Sequence, residues 1–190
     1  MSGDRGLFGY GYFDDPSGCG YRGYGRAGNG EGYLPWAAAR AFCLAWGIRT
    51  AIDLGCAKGF LVEELLSAGV DAVGYDVSDY ALTFARGLPC YRHDVRDGVP
   101  GQADAVFALG ILLYVGEDEL PEVLGAIRRA TGRFLLVSGF YEGDEQEVPD
   151  PLRRITRSHE WWRAQIEDAQ FRFSERREAF DVYESATHIS

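Results

Sequence analysis

The sequence predicts an α/β protein whose mostly parallel sheet is covered by helices on both faces. Short apolar strands alternate with helical patterns between Thr50 and Phe173, and parallel strands joined in this way need crossover helices that cover the sheet. The segment from Thr50 to Phe60 reads as a strand ending in Asp53, a turn through Gly55 and Gly59, and the opening of a helix. Asp71 to Asp76 is a second strand ending in a carboxylate, 23 residues after the first acid. In a βαβ unit this second acid stands beside the first strand, where it can accept hydrogen bonds from both hydroxyls of a ribose.

In chain order, the region up to about Tyr33 holds eleven of the 25 glycines, interleaved with Phe8, Tyr10, Tyr12, Phe13, Tyr21, Tyr24 and Tyr33. Glycine at that density opposes a regular element, yet disordered tails are poor in aromatic rings. The expectation is a segment over residues 1–33 that folds across a ligand as a lid, with Tyr21, Tyr24 and Arg26 as its contacts. A single domain over residues 34–190 follows. Leu34 to Trp46 reads as a helix with Pro35 in its first turn and Gly47 as its stop. Gly59 to Leu66 carries apolar residues at helical spacing, Ala103 to Gly110 reads as the fourth strand, Asp118 to Arg129 as a helix and Arg133 to Ser138 as the fifth strand. Gly139 to Pro151 is acidic and aperiodic, hence a loop on the sheet edge that also carries Asp53, Asp76, Asp94 and Leu109. Ser158 caps a helix that opens with His159-Glu160-Trp161-Trp162. Phe171 to Phe173 and Phe180 to Tyr183 alternate as a closing pair of strands.

The glycines decide between cofactors. A dinucleotide pattern started at Gly55 needs glycine at position 57 and glycine or alanine at position 60. The chain has Ala57 and Phe60, so the dinucleotide reading fails.

The motif Asp53-Leu54-Gly55-Cys56-Ala57-Lys58-Gly59 instead resembles the first motif of the class I S-adenosylmethionine-dependent methyltransferases, with Ala57 replacing the usual middle glycine. Asp76, the run Tyr91-Arg92-His93-Asp94-Val95 and the fourth and fifth strands follow in the family's order, over about Thr50 to Phe173. The resemblance implies a Rossmann-like, doubly wound, seven-stranded, mostly parallel sheet with an antiparallel last strand, in three α/β/α layers. It also implies a cofactor site made by Asp53, Gly55, Cys56, Ala57 and Gly59, by Asp76 on the ribose and Val77 beside the adenine, and by His93, Asp94 and Val95 around the adenine. Leu109 and Gly110 complete that site at the fourth strand, with Tyr21 from the lid. Asp94 fits a helix cap as well as an adenine contact.

The implied reaction moves a methyl group from S-adenosyl-L-methionine to an O or N atom of a small molecule, such as a sugar or specialised metabolite, leaving S-adenosyl-L-homocysteine. The alternatives are a protein or tRNA methyltransferase, or a non-catalytic cofactor-binding module. Leu112 to Val115 occupies the place where many relatives carry leucine, glutamate, histidine and valine, so Tyr114 stands where they have histidine. Tyr114 and His159 are the expected catalytic residues lining the acceptor site, with His159 as the base. Lys58, the only lysine, reads as a solvated side chain at a helix start rather than a contact for the cofactor carboxylate. Arg153, Arg154 and Arg157 read as a solvated helix face, and Trp161-Trp162 as core and substrate wall.

Composition narrows the class. The chain has 190 residues and a net charge of −10, which disfavours a nucleic-acid backbone as partner. It has no apolar run long enough for a bilayer, and Met1 to Arg5 leads into no signal-peptide core. Cys19, Cys43, Cys56 and Cys90 form no metal-ligand spacing and are expected as reduced thiols in the cytoplasm. The expected protein is a monomer or homodimer with no metal and no membrane partner.

Overall fold

A computed structural model describes residues 7–18, 20, 21, 23–25, 35–139, 141–144 and 150–186. Arg26, Tyr33, Cys19 and His188 lie outside the described residues. Seven strands form one sheet: β1 (Thr50–Leu54), β2 (Asp71–Asp76), β3 (Cys90–Arg92), β4 (Ala103–Leu109), β5 (Thr131–Ser138), β6 (Phe171–Arg176) and β7 (Asp181–Ser185). Their spatial order is β3-β2-β1-β4-β5-β7-β6. β1 to β5 pair in parallel, whereas β7 runs antiparallel between β5 and β6. The fold is therefore the doubly wound sheet with a reversed last strand that the motifs imply.

The helices are α1 (Tyr10–Phe13), α2 (Pro35–Trp46), α3 (Phe60–Ser67), α4 (Asp79–Leu82), α5 (Leu120–Ala130) and α6 (His159–Asp168). Among the described residues no helix is long and apolar enough to cross a membrane. Alternation along the strands sends side chains to opposite faces. Ile52, Val106 and Leu135 join Leu120, Leu124, Ile127, Trp162 and Ile166 on the α5 and α6 side. Ala51, Phe107 and Leu136 join Phe42, Leu61, Val62 and Leu65 on the α2 and α3 side. Each face thus has its own dry layer, and the sheet is the wall between them.

Ser78 caps α4 by accepting from the Ala81 N–H, and Ser158 caps α6 by accepting from the Trp161 N–H. The run Tyr91 to Val95 is divided between two elements: β3 stops at Arg92, and Asp94 caps a single tight turn over Val95–Asp97. The three arginines expected on a helix face lie instead on or next to the irregular chain before α6, where Arg154 pairs with Glu119 and Arg157 with Glu117. Trp162 is core, and neither it nor Trp161 faces the main cavity.

Candidate active site

The winding reverses between β1 and β4, and the main cavity, of about 460 Å³, opens at the carboxyl ends of those strands. Position and volume are those of a ligand site in an open α/β sheet. Its floor comes from the strand tips: Gly55 and Ala57 after β1, Asp76 and Val77 at β2, His93, Asp94 and Val95 after β3, and Leu109 and Gly110 at β4. Tyr21 from the N-terminal segment and Tyr114 also face it. Eleven of the residues expected at the site therefore share one cavity, namely those nine with Tyr21 and Tyr114.

Asp53, Cys56 and Gly59 do not face it. Asp53 is buried beneath the turn, and burial, with Cys90 and Asp76 close by, pushes its carboxyl well above the usual carboxylate range. The Cys56 thiol packs against Gly74, where a Cβ would stand 2.7 Å from both Cβ and Sγ of Cys56. Gly59 serves packing too. A Cβ there would meet Leu88 at 2.9 Å and Ala85 at 3.0 Å, and its φ is +79°. At position 59 the room beside the backbone is taken by the chain's own side chains. Gly110 supplies the bare backbone instead, with φ +70°, a place in the cavity wall and nothing within 4 Å of an added Cβ.

Asp76 holds the turn as well as facing the cavity. One carboxylate oxygen accepts the Ala57 N–H and the other the Ser78 N–H, each at 2.7 Å. Ala57 needs this brace, because its φ of +48° is left-handed and unfavourable for a residue with a Cβ. Burial raises the Asp76 pKa against the opposing pull of these N–H groups. Asp94 is engaged by its own turn: it accepts the Arg96 backbone N–H at 3.0 Å and pairs with the Arg96 guanidinium at 2.8 Å. Asp94 caps the turn and also stands in the cavity wall. The His93 ring reaches back to the Gly98 carbonyl through Nε2 at 2.9 Å.

The roof is aromatic. Tyr12 and Phe13 are each only 4% exposed, and burying two such rings stabilises the folded-over segment by about 1.5–3 kcal/mol apiece. The Tyr21 and Tyr24 N–H groups donate to the Tyr12 and Phe13 carbonyls at 2.7 and 2.8 Å. The Ser78 hydroxyl donates to the Phe8 carbonyl, tying the same segment to the sheet edge. Lys58 is not solvated. Its ammonium donates to both oxygens of Asp14 at 2.7 Å and lies 4.4 Å from the Phe84 ring centroid.

Two residues with no catalytic role expected from the sequence, Tyr12 and Asp150, join Tyr114. The Tyr114 hydroxyl donates to Asp150 Oδ2 at 2.6 Å, and the Tyr12 hydroxyl bonds to the Tyr114 hydroxyl. Asp150 is held in turn by the Leu152 N–H at 3.0 Å. Burial raises the pKa of both phenols far above their ordinary value, so both stay protonated. The sequence signal for Asp150 was its place between Pro149 and Pro151 in the acidic loop; nothing in periodicity pairs it with position 12. His159 lies elsewhere. It begins α6, stacks on Tyr141 at 3.4 Å between ring centroids, and meets Arg176 Nη2 through Nδ1 at 2.7 Å. Its ring takes no part in the main cavity wall. Among the described residues no group of three His, Cys, Asp or Glu stands together to hold a metal ion.

No family model matches the chain. Among curated proteins, it is 37% identical over 78 residues to the ubiquinone biosynthesis O-methyltransferase of Methylococcus capsulatus, a match covering 35% of this chain and 33% of that protein. The chain thus spans about a third of the length of that relative. Among solved structures, it is similar to the magnesium protoporphyrin IX methyltransferase of Synechocystis PCC 6803 with bound SAM, at a TM-score of 0.62 and 18% identity, over 83% of this chain and 86% of that one. It is also similar to the mitomycin 7-O-methyltransferase MmcR, at a TM-score of 0.56 and 22% identity, over 78% and 53% of the two chains. The fold is that of the class I S-adenosylmethionine-dependent methyltransferases. Within that class, the sequence match falls on an O-methyltransferase.

Proposed function

We propose that this chain is an S-adenosylmethionine-dependent methyltransferase that methylates an O or N atom of a small molecule in the cytoplasm, with S-adenosylhomocysteine as product. The charge arrangement of the cavity carries this reading. Asp76 and Asp94 stand in the cavity wall at the end of β2 and just after β3, with Asp53 buried beneath the β1 turn. Lys58 is paired with Asp14, Arg96 with Asp94 and Arg154 with Glu119. Such a site opposes the diphosphate of a dinucleotide and suits a nucleoside bearing a sulfonium. Asp76 would hold the ribose hydroxyls, Val77 and Val95 would flank the adenine, and the Gly110 backbone leaves room at β4. When bound, S-adenosylmethionine supplies an electrophilic methyl group.

The chain's own contribution is position, exclusion of water and proton handling. The aromatic N-terminal segment, expected over residues 1–33, serves as the lid. An acceptor hydroxyl placed against the Tyr114 hydroxyl meets an oxygen that can accept its proton, because the Tyr114 proton is already directed at the Asp150 carboxylate. A proton passed to the Tyr114 oxygen moves on to Asp150 Oδ2 along the hydrogen bond already present. The base role expected of His159 passes to Asp150. A sugar or specialised metabolite is the proposed acceptor class, placed at the part of the cavity that Tyr12 and Tyr114 line.

Incubating the protein with methyl-labelled S-adenosylmethionine and a fractionated cell extract tests this directly. Label in a small-molecule fraction supports the reading. Label in protein or tRNA transfers the activity to the macromolecular alternative, and donor binding without transfer leaves a cofactor-binding module.

A further inference from the structure

We propose that Asp14 and Lys58 form a latch that holds the N-terminal segment closed and so sets the affinity for the nucleoside donor, an inference that rests on reading the main cavity as the donor site. Lys58 sits in the glycine turn between β1 and α3, and Asp14 ends α1 at the far side of the roof. Their ion pair therefore bridges the motif under the donor and the segment above it. The Lys58 ammonium donates to both Asp14 oxygens at 2.7 Å, and its side chain is only 8% exposed.

Three further contacts converge on the same carboxylate region. The Tyr80 hydroxyl donates to Asp14 Oδ2 at 2.7 Å, from the helix that follows Asp76. The Tyr24 N–H donates to Asp14 Oδ1 at 3.2 Å, which fixes the returning strand of the segment. The Lys58 ammonium also lies over the Phe84 ring. Burial by itself would raise the Asp14 pKa, but the hydrogen bonds from Lys58 and Tyr80 prevail and hold the carboxyl below its ordinary value. Asp14 is thus a carboxylate at neutral pH.

This chemistry explains why the turn carries a lysine there. The Lys58 ammonium is engaged by the segment above the turn and takes no part in the cavity wall. Lys58 and Asp14 are positioning residues that touch the segment and the turn. Losing a hydrogen bond between charged groups weakens a coupled equilibrium by about 10- to 100-fold.

The test is titration calorimetry of the full chain with S-adenosylhomocysteine, beside amide hydrogen exchange without ligand. The latch predicts that Lys58→Met and Asp14→Asn each weaken binding by about 10- to 100-fold. It also predicts faster exchange at the Tyr21 and Tyr24 amides, while the amides of β1, β4 and β5 stay protected. The double exchange Asp14→Lys with Lys58→Asp should recover part of both losses, and Lys58→Arg should recover most. Wild-type binding and exchange in both single variants, with the sheet still protected, overturn the latch. Loss of protection throughout β1, β4 and β5 also overturns it, since the pair would then support the fold at large. If the wild type binds no S-adenosylhomocysteine, the donor reading fails, and with it the claim on affinity; the exchange arm then still decides whether the pair closes the segment.

Discussion

The carboxylate that ends β2, Asp76, accepts the backbone N–H of Ala57 in the turn after β1 at 2.7 Å. The acid expected on the ribose is therefore also the clamp of the glycine turn. Substituting Asp76→Asn keeps an acceptor for one N–H group and removes a buried carboxyl whose pKa is raised by burial. The expected result is a small change in melting temperature with a loss of donor affinity of about 10- to 100-fold, because hydrogen bonds to a charged group are the strong ones. Calorimetry with S-adenosylhomocysteine and a thermal melt on the same sample check both halves.

Asp53 and Asp76 also make the ligand-free protein pH-dependent in a defined direction. Both pKa values are raised, chiefly by burial. A raised acid binds more protons folded than unfolded, so its contribution is full below the unfolded value of about 4 and is lost as pH rises through the folded pKa. Asp53→Asn removes one such group without changing its size. The stability of this variant relative to wild type should therefore increase as pH rises from about 4 to 8. Melts of the two proteins across that range measure it. A donor whose hydroxyls bond to the Asp76 carboxylate should also release protons on binding and bind more tightly as pH rises.

Removing the carboxylate behind the paired tyrosines should separate transfer from donor binding. Asp150→Asn is expected to lower turnover by about 10²- to 10⁴-fold, the usual range for a general base, with S-adenosylhomocysteine affinity unchanged. Tyr114→Phe should lower turnover in the same direction. His159→Ala should keep its turnover, because its ring stacks on Tyr141 and meets Arg176 away from the main cavity wall. Rates measured with the acceptor recovered from the labelled extract decide among the three.

Two glycine substitutions separate packing from backbone strain. Gly59→Ala forces a Cβ to 2.9 Å from Leu88 at a φ of +79°. Strain and overpacking together should cost about 2–4 kcal/mol. Gly110→Ala, at φ +70° with open space, should cost only about 1–2 kcal/mol. Urea unfolding of both variants gives the comparison.

Much of the fold was legible because its signals are local. Strand tips ending in acids, an apolar strand followed by a glycine turn, and helical spacing after Gly59 all lie within windows of about ten residues. Their order along the chain then constrains the sheet. The lengths were less legible: β3 ends early because the Asp94 side chain closes a tight turn with Arg96, and the arginines after Asp150 lie on irregular chain fixed by Glu117 and Glu119. The cavity floor follows from the motifs, whereas the roof and the acceptor wall depend on contacts across 44 residues for Lys58 and Asp14, and across 102 for Tyr12 and Tyr114. No periodicity encodes such pairs. Lys58 was read as solvated because lysines usually are; its partner Asp14 sits in the segment whose composition resists assignment. His159 drew attention as a rare ordered histidine, but rarity says nothing of direction.

Titration of this chain with S-adenosylhomocysteine and, separately, with NAD tests the central claim most directly. Saturable binding of S-adenosylhomocysteine at one site, weakened by Asp76→Asn, with no measurable heat from NAD, is the predicted result. Saturable NAD binding, or no heat from S-adenosylhomocysteine with the folded wild type, contradicts the account.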